Sequence, residues 1–157
     1  MLKDSNCKAA IILGMHDAIV SLTGLIAGLF FAFTDTNIII ISCIISSITA
    51  SLSMGAANYL ATKAKESKTA LKSAFYTASA YMITCAFLIL PFFVFTNRTT
   101  TLITTVLMAI LIIFVFNKCC YHGKVFYKHF FEMLSICTMV SIVAFFIGET
   151  AKEIFGI

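Results

Sequence analysis

The sequence predicts an all-α integral membrane protein with five transmembrane helices, and three observations support that prediction. Hydrophobic residues make up 61% of the 157 positions and charged residues only 11%, which is far from the composition of a soluble domain. Five segments are long and apolar enough to cross a bilayer, whose core needs about 20 helical residues. Basic residues also accumulate at alternate connections between these segments. The predicted spans are residues 9–33, 38–61, 73–95, 100–116 and 130–148.

Each span follows from its own apolar run. The run in residues 9–33 is longer than the roughly 7–15 apolar residues of a secretory signal, and no small-residue cleavage site follows it, so we expect it to be retained. The connections between the five runs are too short for a soluble domain. We therefore predict a single transmembrane domain over residues 1–157.

The basic residues predict the orientation, because Lys and Arg accumulate on the cytoplasmic side of a membrane. Nine lysines precede the first span or lie in the second–third and fourth–fifth connections, whereas Arg98 and Lys152 fall on the other side. The amino terminus is therefore expected in the cytoplasm and the carboxyl terminus outside or in a lumen. We attribute the net charge of +4 to topology and expect no nucleic-acid partner. The nine lysines are Lys3, Lys8, Lys63, Lys65, Lys68, Lys72, Lys118, Lys124 and Lys128.

An ionisable pair, His16-Asp17, interrupts the first apolar span. At helical spacing Asp17 shares one stripe with small and polar residues, so we expect it to face another helix and not lipid. The second span carries a comparable stripe. If the two spans are antiparallel, Asp17 and Met54 both lie about 10–12 Å from the cytoplasmic boundary, at 1.5 Å per residue. The stripes are Gly14, Asp17, Ser21, Gly24 and Gly28, and Cys43, Ser47, Ser51, Met54 and Asn58.

Simpler interpretations exist for each of these residues. Asp17 could be a packing hydrogen-bond group, although ionisable groups at this depth are costly and usually functional. Met54 could be core filler. Gly24 and Gly28 indicate close helix packing, within the chain or in a dimer. His16 points about 100° away from Asp17 and is a weaker candidate ligand, and Glu132 is either a second titrating group or an interfacial helix-start carboxylate.

A carboxylate beside a thioether suits a transition metal. Oxygen ligands suit hard divalent cations, while a thioether favours softer ions than Mg²⁺ or Ca²⁺, so Fe²⁺ or Mn²⁺ fits the pair. Since a carboxylate must lose its proton to bind a metal, protons and metal ions should compete for Asp17. No signature of nucleophilic catalysis, phosphate binding or dinucleotide binding occurs, so we expect no enzyme and no permanently bound cofactor.

Three stretches resemble the vacuolar iron transporter family. "GMHDAIVSLTGLIAGL", "SMGAANYLATKAKES" and "FFEMLSICTMVSIVAFFIG" are similar in order and spacing to its first, second and fifth spans, and "ILPFF" is similar to its proline-bearing third span. The resemblance implies export of Fe²⁺ or Mn²⁺ from the cytoplasm by proton antiport through a homodimer. It also implies that Asp17 and Met54 line the metal path.

The chain departs from the family pattern at three places. His16 stands where Asn is common, Ala50 where many bacterial members have an acidic residue, and Asn58 where plant-type members have Glu. The link from Thr62 to Lys72 is also too short for the glutamate-rich metal-binding domain of vacuolar members. We therefore expect a short-form metal exporter in a bacterial plasma membrane, with an organelle membrane left open. The alternatives are a non-transporting membrane assembly or regulatory protein, or a carrier of another small cation.

Overall fold

The computed structural model describes residues 5–65, 68–120 and 124–155, and it confirms the all-α prediction. Each of its five helices is long and apolar enough to cross a membrane. Lys3, which entered the charge count, lies outside the described residues, as does the side chain of Lys124. The helices are α1 (Ser5–Ala32), α2 (Thr36–Ala64), α3 (Ala70–Val94), α4 (Arg98–Cys120) and α5 (Lys124–Phe155).

The helices run up and down in alternation. Gly14 lies against Thr77 and Ser21 against Tyr81, so α1 and α3 are parallel. Asn58 of α2 instead contacts both Ser73 and Thr77 of α3, while Gly55 faces Ala78, which makes that pair antiparallel. We call the end that holds the amino terminus of α1 the basic end, because the described lysines other than Lys152 lie there or beside it.

Helix α1 lies at the centre of the bundle and packs chiefly against α3 and α5. A Cβ built on Gly28 would lie 3.1 Å from the carbonyl oxygen of Ala144, and one built on Gly148 would collide with the carbonyl oxygen of Gly28. The glycine stripe therefore permits close backbone approach, as small residues do between membrane helices. The close packing predicted for Gly24 and Gly28 is confirmed, and the helix that they approach within this chain is α5.

Side-chain hydrogen bonds join α2 to α3 near the basic end. The Asn58 amide nitrogen donates to the Ser73 hydroxyl at 3.0 Å, to the Ser73 carbonyl at 3.3 Å and to the Thr77 hydroxyl, while its oxygen accepts from Thr62 at 3.2 Å. Apolar packing gives little preference for one helix partner in a bilayer, so such bonds help to select the pairing.

Arg98 joins the helix ends at the opposite end of the bundle. Its guanidinium donates to the Phe30 and Phe33 carbonyl oxygens and lies 4.3 Å from the centre of the Phe30 ring. These carbonyls belong to the end of α1, where the last turn lacks intrahelical donors. Asp35 then caps α2 by accepting from the Asn37 amide at 2.8 Å.

Each of the five predicted spans coincides with one helix, but the bounds differ: residues 33 and 95 lie one residue past the ends of α1 and α3, and most helices extend beyond their spans. The fifth helix, Lys124–Phe155, is the longest and extends beyond residues 130–148 at both ends. A span is delimited by apolar side chains, whereas a helix continues wherever its backbone hydrogen bonds continue. Hydropathy therefore did not predict the polar residues by which the helices extend beyond the apolar spans.

Candidate functional site: an open carboxylate in α1

Asp17 lies near the middle of α1, twelve residues after Ser5, or about 18 Å along the helix. Its side chain is half-buried and makes no hydrogen bond or ion pair with another described residue. Other polar side chains in the spans bond to their own helix, as Thr23 does to Ile19 and Thr84 to Ala80. Asp17 thus lacks the partner that a packing role would require.

Met54 lies at the depth that the antiparallel prediction requires. Gly14 against Thr77 and Ser21 against Tyr81 place Asp17 between the levels of Thr77 and Tyr81 on α3. Gly55 against Ala78 places Met54 at nearly the same level. The Met54 side chain is partly buried and packs against the central apolar cluster, so it reaches inward from α2 toward the core that α1 and α3 share.

A pair of hydrogen-bonded hydroxyls, one exposed and one buried, lies one turn beyond Asp17. The Ser21 hydroxyl and the Tyr81 hydroxyl are 2.6 Å apart, and Tyr81 is only 2% exposed. Sequence reasoning placed Ser21 on the polar stripe but did not identify Tyr81. A phenol in an apolar span was a signal, because a buried Tyr hydroxyl usually needs a partner, although the third span holds two, Tyr76 and Tyr81.

A groove of about 510 Å³ begins at Ser21 and follows α1 toward the opposite end of the bundle. It lies between α1, α2 and α5, and its lining includes Gly24, Gly28 and, from α2, Ser46. The remaining lining residues are almost all apolar. The groove therefore offers a route along α1 that starts one helical turn from the Asp17 carboxylate.

The outer face of α2 carries a second polar stripe, which the described part of the chain covers only partly: Thr49 and Ser53 are exposed, whereas Ser42 and Ser46 are half-buried. A shallow depression of about 590 Å³ follows it. The stripe includes Ser46, which also lines the α1 groove. Facing lipid, serine and threonine hydroxyls would give up hydrogen bonds with water and gain little in return. The residues that line the depression are Ser42, Ile45, Ser46, Thr49, Ala50 and Ser53.

The other three predicted site residues make contacts of their own. Asn58 is half-buried and uses both amide atoms in the α2–α3 hydrogen bonds described above. His16 bonds through Nδ1 to the Ile12 carbonyl at 2.7 Å and stacks edge-on against Phe116 of α4, on a different side of α1 from Asp17. Glu132 is exposed on α5, where it pairs with His129 at 3.4 Å.

The described residues of one chain contain no complete metal site. Within residues 5–65, 68–120 and 124–155, no three His, Cys, Asp or Glu side chains form a group that could hold a metal ion. One carboxylate and one thioether supply fewer ligands than Fe²⁺ or Mn²⁺ normally takes. The thiols of Cys43, Cys85 and Cys137 are buried and free, as expected for packing residues.

Comparison with known proteins supports the resemblance found in the sequence. The model of the VIT family matches residues 9–70, which include most of α1, all of α2 and the first residue of α3. Asp17, Met54 and Asn58 lie inside the matched range, and Tyr81 and Glu132 lie outside it. No curated protein matches the chain. The family match indicates membrane transport of a metal ion.

Proposed function

We propose that this chain exports Fe²⁺ or Mn²⁺ from the cytoplasm by proton antiport. The family match over residues 9–70 supports its membership of the vacuolar iron transporter family, and the proposal starts from that membership. The ion binds at Asp17 with Met54 as a softer neighbour. Both the metal ion and the proton are substrates, and the working unit is a homodimer.

The observation that carries this proposal is the open carboxylate of Asp17. A carboxylate within a membrane span is costly unless it is paired or serves a transported ion. Since Asp17 has no hydrogen-bond or ion-pair partner among the described residues, packing does not account for it. A divalent cation would supply the missing counter-charge.

Competition between a proton and a metal ion supports the antiport mechanism. Only the deprotonated carboxylate binds metal. When metal leaves Asp17 toward the outside, a proton can take its place and return inward. Asp17 alone supplies this minimum requirement, so the mechanism does not need the acidic residues that other family members carry at the positions of Ala50 and Asn58.

The homodimer is supported by the polar stripe on the outer face of α2. A second copy packed on this stripe would remove its hydroxyls from lipid and offer partners to Ser42, Ser46 and Ser53, whereas Thr49 already donates to the Ile45 carbonyl. Ser46 also connects this stripe to the α1 groove, so two copies would bring both Asp17 regions toward one interface. Two carboxylates and two thioethers make a more complete ligand set than one chain provides.

Metal uptake into sealed proteoliposomes tests the proposal. Wild-type protein should carry Fe²⁺ and Mn²⁺ in response to a pH gradient, and Asp17→Asn should reduce the flux to the background of empty vesicles. Asp35→Asn is the matched control, because it makes the same chemical change at the cap of α2, where Asn caps as well as Asp. Full flux through a folded Asp17→Asn protein would exclude the site.

Met54→Leu tests the softer ligand. It keeps the side-chain volume but removes the sulfur, so folding should change little. We expect transport of Fe²⁺ and Mn²⁺ to fall relative to Mg²⁺. If the wild-type protein is folded and dimeric yet moves no metal in the same vesicles, the non-transporting assembly protein becomes the correct interpretation.

A further inference from the structure

The hydrogen bond between Ser21 and Tyr81 stands out among the contacts of α1. It is the only side-chain hydrogen bond that joins α1 to α3 within the described part of the chain. Tyr81 is buried against the central cluster, while Ser21 is exposed. The bond therefore holds one accessible hydroxyl in place from a rigid, buried position.

Ser21 also occupies a distinctive position along α1. It follows Asp17 by four residues, and side chains at that spacing are neighbours on one helix face, about 5–6 Å apart at Cβ. It is also the first residue of the groove that leads to the opposite end of the bundle. An ion that leaves Asp17 along this groove meets the Ser21 oxygen first.

We propose that Ser21 is an oxygen ligand for the transported ion on the outward side of Asp17, and that Tyr81 is the residue that positions it. This inference rests on the function proposed above. It adds a second ligand from the same helix to the proposed site. It also gives the path of the ion, which would pass from Asp17 by way of Ser21 into the α1 groove.

The chemistry of the pair suits this role. When Ser21 donates its hydroxyl hydrogen to Tyr81, both lone pairs of the serine oxygen stay available to a cation. A free serine would instead rotate and bond to its own helix, as Ser135 does to Phe131. Tyr81 thus fixes the hydroxyl before the ion arrives, which lowers the entropic cost of binding.

Metal titration of the purified protein and uptake into proteoliposomes test the two roles together. Ser21→Ala removes the ligand oxygen, and Tyr81→Phe keeps the ring but removes the positioning hydroxyl. Loss of such an outer partner typically weakens metal affinity about 10–100-fold, so we expect both variants to bind Mn²⁺ at least about ten-fold more weakly. Ser135→Ala, on a lipid-facing serine, is the matched control and should bind as the wild type does.

A change in metal preference separates a ligand from a structural residue. Ser21→Cys replaces a hard oxygen by a soft sulfur, so the ratio of Cd²⁺ to Mn²⁺ affinity should rise. A hydrogen bond that only holds α1 to α3 would not change that ratio.

The outcomes distinguish this inference from the proposed function. If wild type transports metal, Asp17→Asn does not, and folded Ser21→Ala and Ser21→Cys match the wild type in affinity and preference, Ser21 is not a ligand while the transporter stands. If Tyr81→Phe alone matches the wild type, the positioning role is wrong. If the wild-type protein neither binds nor moves metal, both proposals fall.

Discussion

At the scale of single residues, polar side chains of similar appearance in the sequence have different roles in the structure. Asp17 and Asn58 both lie on polar stripes of apolar helices. Asp17 is open and unpaired within the described residues, whereas Asn58 uses its whole amide on Ser73, Thr77 and Thr62. We assign the first to the transported ion and the second to helix pairing.

Asn58→Ala should therefore destabilise the protein without abolishing transport. Interhelical hydrogen bonds in membranes contribute about 0.6 kcal/mol on average, so losing several should cost about 1–2 kcal/mol. Thermal unfolding in detergent would measure it. Thr104→Val, which loses a hydroxyl bonded only to its own helix, is the control. Unchanged stability with lost metal flux would make Asn58 a metal-path residue.

Which residues carry the site could be predicted only in part from the sequence. Asp17 was identifiable because a carboxylate in an apolar run is rare, and the shared depth of Asp17 and Met54 followed from antiparallel spans. The phenol of Tyr81 showed that a polar partner was needed, but that partner could not be predicted, because it depends on α3 lying parallel to α1 with Tyr81 opposite Ser21. Helical periodicity shows which side chains share a face, but not which helix that face meets.

At the scale of helices, the small residues of α1 decide the arrangement. Gly14 approaches α3 and Gly28 approaches α5, so α1 is held closely on two sides. The sequence pattern predicted close packing at these glycines but did not identify the partner helix. Small residues are needed for close approach whether the neighbouring helix belongs to the same chain or to a second copy.

Gly148→Ala should disrupt the contact between α1 and α5. The added Cβ would collide with the Gly28 carbonyl oxygen, and backbone cannot move aside as a flexible side chain can. Overpacking of this kind costs about 1–3 kcal/mol. Thermal unfolding should show the loss, while Ala86→Leu, which adds bulk at an exposed position of α3, should not. A stable Gly148→Ala protein that no longer dimerises would instead place this contact between subunits.

At the scale of the whole molecule, lysines surround one end of the bundle, and the positive-inside rule assigns that end to the cytoplasm. The proposed metal export requires the same orientation, because the exported ion must enter the protein from the cytoplasm at the basic end.

The orientation predicts the labelling of introduced cysteines. In a background without Cys119 and Cys120, a membrane-impermeant thiol reagent should reach Asn97→Cys from outside intact cells, and Lys68→Cys only after the membrane is permeabilised. Both positions are exposed on the connections at opposite ends of the bundle. The reverse pattern would turn the proposed exporter into an importer.

Dimerisation through α2 predicts a specific cross-link. Thr49→Cys, in the same background, should form a disulfide with its copy under mild oxidation, because Thr49 lies on the polar stripe of the outer face. Leu107→Cys on the exposed side of α4 is the control and should remain monomeric on a non-reducing gel. Equal cross-linking at the two positions would argue against a specific interface on α2.

The Asn58 hydrogen bonds have a mechanical consequence. Helix α2 is fastened to α3 near the basic end and packs against it more extensively than against α1. Parting α1 from α2 should therefore require less work than parting α2 from α3, whereas α1 and α3 pack together about as extensively as α2 and α3 do. The bond between Ser21 and Tyr81 should then persist through a transport cycle, and spectroscopic labels placed on α1 and α2 should record a larger change in distance than labels placed on α1 and α3.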